Sequence, residues 1–236
     1  MRSFADLHVI LPGPGPGLSK IAERASLLGY GLIGLTLKDR PGDPGSLRRV
    51  FSDRGVDVAF RIDLSPRSRQ ELLSLLRRHR DGFEVVSVNC TSRGIWDVAS
   101  RDKRVDLIFF GKGAIGPRIG LPRGASAALE VNIRELIVPD GGRDRAYALG
   151  KVKRDLEVAF RNGMRVVASS GTDDPELMRA PREVASLLKW FGMEPGDALA
   201  SVSETPISLV QSNRMKLRGE GVCDGLRIVG GGWRDG

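Results

Sequence analysis

The sequence predicts an α/β fold, a TIM-like (βα) barrel of seven or eight parallel strands, on three observations. Short β-branched or apolar runs recur at intervals of roughly 20–35 residues, the length of one βα unit. Helical patterns fill most of the gaps between them. Neither a linker nor a composition shift interrupts the 236 residues. The units therefore belong to one domain, 1–236, with a basic C-terminal segment from about 206 to 236.

The expected strands run in order as FADLHVIL (4–11), YGLIGLTL (30–37), VDVAFRIDL (56–64), FEVVSVNC (83–90), VDLIFF (105–110), ALEVNI (128–133), MRVVASS (164–170) and a weaker ALASVS (198–203). Several are apolar at nearly every position, as in parallel strands covered on both faces. Ile21, Ala25 and Leu28 mark a helix over 19–28 that stops at Gly29, and Leu72, Leu75 and Leu76 mark one over 68–80. Leu149, Val152, Leu156, Ala159 and Phe160 predict the buried stripe of a long helix ending at Asn162-Gly163. In the next helix Pro181 takes an early position, Val184, Leu187, Leu188 and Phe191 make the face, and Gly192 ends it. Residues 111–127 hold too much Gly and Pro for a long helix.

Composition narrows the partners. A net charge of +8 and a pI near 10 are common among proteins that meet polyanions. Of 37 cations 29 are Arg, the residue suited to bidentate phosphate contact, and three stretches (61–80, 93–123, 143–165) each carry net +4. The competing reading of each stretch is a solvated helix face. Aromatics are few (6%) and do not alternate with the arginines, which disfavours a stacking platform for single strands. Shape and phosphates of folded RNA fit better than bases. No apolar run approaches the roughly 20 residues of a membrane span. The first segment carries Asp6 and His8 within its apolar stretch and no Ala-x-Ala-like site, unlike a signal peptide. The two cysteines, Cys90 and Cys223, suggest no disulfide framework, and a reducing cytoplasm is the expected home.

Three catalytic readings compete with the binding one. Asp6-Leu7-His8 at the end of the first strand has the spacing of a metal-binding His-x-His with its first histidine replaced. Only His79 could add another imidazole, and it sits among arginines near a helix end. Asp63, Glu130 and Asp173 at other strand ends could hold Mg²⁺ through oxygen, but no full zinc set exists, so no protein-bound metal is expected. Asp6 and His8 are expected instead to bond to one another or to neighbouring loops. A metal-dependent phosphoesterase on the same barrel remains the alternative. Gly111, Gly113 and Gly116 spell G-x-G-x-x-G after a strand, yet Pro117, Gly120 and Pro122 interrupt the helix a pyrophosphate requires. Nucleophilic catalysis lacks a motif, and Cys90 at a strand end reads as core.

The first strand FADLHV followed by a helix and YGLIGLTL, the strand ALEVNI, the stretch VVASSGTDDPELMRAPREVASLLKWFGM (166–193) and the segment SETPISLVQSNRMK (203–216) together resemble the ribonuclease P protein component 3 family, archaeal counterparts of the eukaryotic thirty-kilodalton subunit. The resemblance runs from Phe4 to about Val229, and Ser169, Ser170, the run Arg179 to Glu183, Gly192-Met193, Pro206 and Asn213 carry most of it. One departure is Ala180 where many members have serine. The resemblance implies a metal-free barrel, related to the polymerase-and-histidinol-phosphatase hydrolases, within the ribonucleoprotein that removes the 5′ leader of precursor tRNA. The alternative phosphoesterase would be of that polymerase-and-histidinol-phosphatase type. It implies as partners the ribonuclease P RNA, which carries the catalytic Mg²⁺, the smaller ribonuclease P protein component 2, and the other protein subunits. It implies no catalytic residue in this chain. From loop and helix-start positions, the candidate phosphate contacts are Lys38, Arg40, Arg93, Lys112, Arg118, Arg179, Arg182, Arg214, Lys216 and Arg218.

Overall fold

A computed structural model describes residues 3–12, 17–111, 125–139, 141–223 and 226–227, with side chains up to residue 220. The chain alternates β1 (Ala5–Ile10), α1 (Gly17–Leu27), β2 (Leu32–Leu37), α2 (Pro44–Ser52), β3 (Asp57–Leu64), α3 (Arg69–His79), β4 (Val85–Asn89), α4 (Arg93–Ala99) and β5 (Leu107–Phe109). It continues through β6 (Ala128–Asn132), α5 (Arg134–Ile137), α6 (Gly142–Asn162), β7 (Val166–Ser169), α7 (Pro181–Trp190), α8 (Pro195–Ala200) and α9 (Glu204–Leu217). A two-stranded antiparallel pair, β8 (Gly221–Cys223) and β9 (Leu226–Arg227), follows.

Strands β1 to β7 form one parallel sheet in sequence order. The ring nearly closes where Ile10 donates to the Thr172 carbonyl (2.9 Å) and Gly171 to that of His8 (2.8 Å). The main apolar cluster lies between strands and surrounding helices. A second fills the barrel at its N-terminal mouth: Ala5, Leu7, Leu32, Ala59, Val85, Leu107, Ala128 and Val167, with at least one residue from every strand. Helix α9 stoppers that mouth with Leu209 and Val210.

Polar groups hold α9 there. Asn213, buried, donates to the Glu84 carbonyl (2.9 Å) and to Asp106 Oδ1 (2.8 Å). Arg214 reaches Glu84 Oε1 (3.1 Å), the Val58 carbonyl (2.7 Å) and Asp57. Arg80 fixes the other Asp106 oxygen, Oδ2, at 2.5 Å.

Two expectations need correction. ALASVS (198–203) is not an eighth strand: Pro195 opens α8, whose six residues are too few to show a helical period. Phe160 leaves the buried stripe of α6 and is 47% exposed, because it lies about 40° beyond Leu156, the edge of the core-facing arc that runs through Ala148, Ala159, Val152 and Leu156. At α7, Ala180 makes no side-chain cap, yet Glu183 Oε2 accepts from the Ala180 amide (3.1 Å), half of a capping box. Gly192 ends the turn after α7 with φ +94°. Among the described residues no helix is long and apolar enough to cross a membrane.

The first strand is irregular in a consequential way. Pairing with β2 shifts register between Asp6 and Val9, a bulge that turns the Leu7 carbonyl into the barrel. Gly34 faces it, and a Cβ there would lie 2.4 Å from the Leu7 oxygen. Gly34→Ala should therefore cost about 1–3 kcal/mol of unfolding free energy in urea titrations, as overpacking against backbone does. A variant as stable as the parent would show that the bulge yields freely.

Candidate functional site

At the C-terminal mouth, where barrels of this kind build their sites, side chains from β1, β3, β6 and β7 converge on one guanidinium. Arg61 lies inside the barrel because Ala59, Arg61 and Asp63 share the inward face of β3. Its Nη1 and Nη2 donate to Glu130 Oε1 (2.5 Å) and Oε2 (2.6 Å) in a bidentate pair, and both side chains are fully buried. Its Nε donates to Asp63 Oδ1 (2.7 Å), and Nη1 also to the Leu7 carbonyl (2.9 Å). Ser169 Oγ donates to Glu130 Oε1 (2.9 Å).

His8 completes the cluster. Its Nε2 lies 3.2 Å from Asp63 Oδ2, and its Nδ1 2.8 Å from Asn132 Oδ1 and 3.6 Å from Glu130 Oε2. Acceptors at both ring nitrogens suit an imidazolium. Burial and the nearby Arg61 charge push the His8 pKa down, but Glu130 and Asp63 outweigh them and raise it to about 9. Burial would raise the carboxyl groups in turn; Arg61 leads the opposing effects and leaves both Glu130 and Asp63 below their ordinary range. With His8 protonated, two cations face two anions and the cluster is neutral.

Asp6 does other work. Its Oδ1 accepts from the His8 amide (3.1 Å) and the Ser170 amide (3.0 Å), pinning the bulge and the closing seam between β7 and β1. Ser170 Oγ adds a bond to the His8 carbonyl (3.1 Å). Gly171, at φ +68°, passes so close to Asn132 that a Cβ would meet its Oδ1 at 2.8 Å. The expected contact between Asp6 and His8 is present through the His8 backbone, while the ring turns to β3 and β6.

As a metal site this donor set is a poor fit. Both Glu130 oxygens and Asp63 Oδ1 are spent on the Arg61 guanidinium, and Asp63 Oδ2 faces His8 Nε2. Among the described residues no group of three or more His, Cys, Asp or Glu is arranged to hold an ion. Asp173 lies apart, exposed and paired with Arg134 (2.9 Å). Cys90 is buried, its thiol pushed up to about 12 by burial. Of the G-x-G-x-x-G motif, Gly111 donates to Asn89 Oδ1 (3.0 Å), and the remainder lies outside the described residues.

The eight candidate phosphate contacts among the described residues do not form one surface. Lys38 is exposed beside a shallow pocket shared with Asp63 at the C-terminal mouth, and Arg93 is exposed on α4 with Asp97 at 3.8 Å. Arg40, Arg214 and Arg218 line a separate cleft of about 630 Å³, where Arg214 is occupied by Asp57 and Glu84. The Arg179 guanidinium donates to the Glu176 (2.8 Å) and Met178 (3.0 Å) carbonyls. Arg182 is exposed and covers the Phe4 ring at 5.7 Å, and Lys216 is exposed on α9. Lys112 and Arg118 lie outside the described residues. What sequence reasoning missed is Arg61, counted within a basic stretch yet wholly buried. The alternation of Ala59, Arg61 and Asp63 was the available signal.

The cluster makes stability depend on pH. A histidine whose folded pKa is raised contributes fully below its unfolded pKa near 6.5 and loses that contribution as pH rises through about 9. Between pH 6.5 and 9.5 the unfolding free energy should fall by roughly 1–3 kcal/mol. In His8→Gln this alkaline loss should vanish; an identical slope in both proteins would refute the assignment. Arg61→Met should cost roughly 3–5 kcal/mol at pH 7, since it leaves buried carboxylates without their cation.

The comparisons with known proteins agree with one another. Residues 3–218 match the family model described as RNase P subunit p30. Ribonuclease P protein component 3 of Methanococcoides burtonii is 28% identical over 234 residues, covering 96% of this chain and 94% of the relative. That of Methanothermobacter thermautotrophicus is 23% identical over 235 residues, covering 94% and 95%. In fold, the chain resembles one in a cryo-EM structure of archaeal ribonuclease P with mature tRNA, with a TM-score of 0.75, 15% identity and coverage of 96% and 99%. It is less similar to A. niger ochratoxinase, with a TM-score of 0.51, 15% identity and coverage of 88% and 71%. The family match spans nearly the whole described barrel and α9, and on that ground the chain belongs to the RNase P subunit p30 family and is a protein subunit of ribonuclease P.

Proposed function

We propose that this subunit acts as a rigid, cationic support for the ribonuclease P RNA and contributes no reacting group of its own. In this reading the RNA carries the catalytic Mg²⁺, precursor tRNA is met through the assembled enzyme, and a smaller protein subunit pairs with this chain. The setting is an archaeal cytoplasm. The observation that carries the reading is the Arg61 guanidinium, which engages the carboxylates gathered at the catalytic end of the barrel. Groups locked in a neutral, buried ion cluster cannot readily exchange protons with a substrate. The net charge of +8 supplies the attraction to a polyanion.

The metal-dependent phosphoesterase reading gains nothing from the structure, because its ligands would have to be released from Arg61 first. A direct test is reconstitution with the enzyme's RNA and protein partners, scoring precursor tRNA cleavage with and without this chain. Omission should slow cleavage or raise its Mg²⁺ requirement. At a temperature where each variant is folded, His8→Gln and Asp63→Asn should leave the cleavage rate of the assembled enzyme within about twofold. A loss of 10²-fold or more, the size expected from removing a general acid or base, would overturn the reading.

A further inference from the structure

Three basic stretches stood equal by charge, and the arrangement of their exposed cations separates them. In 61–80, Arg61 is inside the barrel and Arg80 is bound to Asp106. Arg67, Arg69, Arg77 and Arg78 are exposed, the last two side by side in the last turn of α3. In 93–123, Arg104 is forked to Asp102, Arg93 lies 3.8 Å from Asp97, Arg101 and Lys103 are exposed close together after α4, and 112–123 lie outside the described residues. In 143–165 the pattern is different.

Helix α6 places Arg143, Tyr147, Gly150, Arg154 and Arg161 at i, i+4, i+7, i+11 and i+18. At about 100° per residue these fall within roughly 60° of one another, on the side away from Ala148, Val152, Leu156 and Ala159, with buried Val158 bordering the stripe near its C-terminal end. All but Gly150, which is half-buried, are exposed. The stripe runs about 27 Å, with arginines near each end and about 16 Å along it. Glu157 beside it touches Arg161 only at 4.0 Å. The inward-leaning Lys151 is paired with Glu135 and Asp155 and takes no part.

Gly150 is the odd member. A mid-helix glycine costs roughly 0.5–1 kcal/mol relative to alanine. No positive φ requires it, and a Cβ there would meet only the flexible end of Arg154, at 3.3 Å. Its bareness lets Arg154 lie along the helix toward the Tyr147 ring, 5.9 Å away, and leaves backbone open to close approach. A straight cationic row, one aromatic and an open backbone complement a polyanion's surface.

We infer that the outer face of α6 is the docking surface for the sugar–phosphate backbone of a folded RNA helix, with Arg143, Arg154 and Arg161 on phosphates. The inference rests on the proposed RNA-binding role and adds the place. Tyr147 holds Arg154 in line and offers a face to a ribose or base.

The test uses the full chain assembled with its smaller protein partner, and a transcript of the ribonuclease P RNA as probe, with binding measured across a salt series. Replacing Arg143, Arg154 and Arg161 together by Gln should weaken binding by about tenfold or more and make the slope of log K against log salt shallower by about 2–3. The control, Arg77→Gln with Arg78→Gln on α3, should do neither. Gly150→Leu should raise the melting temperature by about 1–3 °C while weakening RNA binding, opposite signs that a merely structural glycine would not give. If the α3 pair carries the effect and the α6 triple does not, the inference fails and the RNA-binding role stands. The same holds if the α6 triple spares RNA but releases the protein partner. If the parent assembly itself binds RNA without salt dependence, the proposed role fails, and the inference with it.

Discussion

One guanidinium organises the upper half of this barrel. Arg61 makes four hydrogen bonds to three residues from three strands, β1, β3 and β6, and each is possible only because of a local irregularity or an inward carboxylate. The bulge in β1 supplies a carbonyl where a regular strand would keep it in the ladder. Gly34 leaves the room for that carbonyl. Glu130 gives the bidentate geometry that lysine could not use as well. A buried charge of this kind is seldom a net gain over a well-packed apolar core, but once present it must be matched group by group. That requirement explains why His8, Asn132 and Ser169 are also committed around it.

The opposite mouth is closed by a second, independent arrangement of the same kind. Asn213 and Arg214 on α9, with Arg80 before β4, satisfy Asp106, Asp57 and the Glu84 carbonyl at the strand starts. Arg48 on α2 joins them through Glu84 Oε1 at 2.7 Å. The two clusters enclose the ring of small and medium apolar residues between them. The barrel is thus a short apolar layer between two polar stoppers, and α9 is part of the fold rather than an appendage to it.

Much of this was legible in the sequence, and the failures share a cause. Seven apolar runs become seven strands because parallel strands covered on both faces leave a continuous signature. ALASVS fails because six residues of small apolar character fit a strand and a single helical turn equally well. Phe160 fails because its i+4 spacing from Leu156 carries it past the edge of the buried arc, where spacing alone cannot tell core from solvent. The importance of Arg61 and Arg214 was hidden because charge tallies treat every arginine as surface. A rarer residue type offered a better guide. The chain has four asparagines, and three of them, Asn89, Asn132 and Asn213, bridge elements at the two mouths. In a chain this poor in side-chain amides, an asparagine inside an apolar run is a sign of a specific buried bond.

Sorting the arginines by what faces them clarifies how so basic a chain divides its charge. Arg61, Arg80, Arg48, Arg104 and Arg214 each meet a carboxylate at 2.5–3.1 Å, and in doing so they add nothing to the potential felt by a distant polyanion. An ion pair is nearly invisible beyond a Debye length of about 8–10 Å. The net +8 must therefore arise from cations without close anions, and position rather than number decides what those can bind. Scattered over a curved surface they would give only loose, sliding attraction. Aligned on the outer ridge of a 21-residue helix, as on α6, they present one straight cationic row, the geometry behind the docking surface inferred above. A barrel with its interior locked by ion pairs gives that ridge a fixed orientation, so interior and exterior arginines serve one end: the first set makes the body rigid, and the second makes its rigidity useful to RNA.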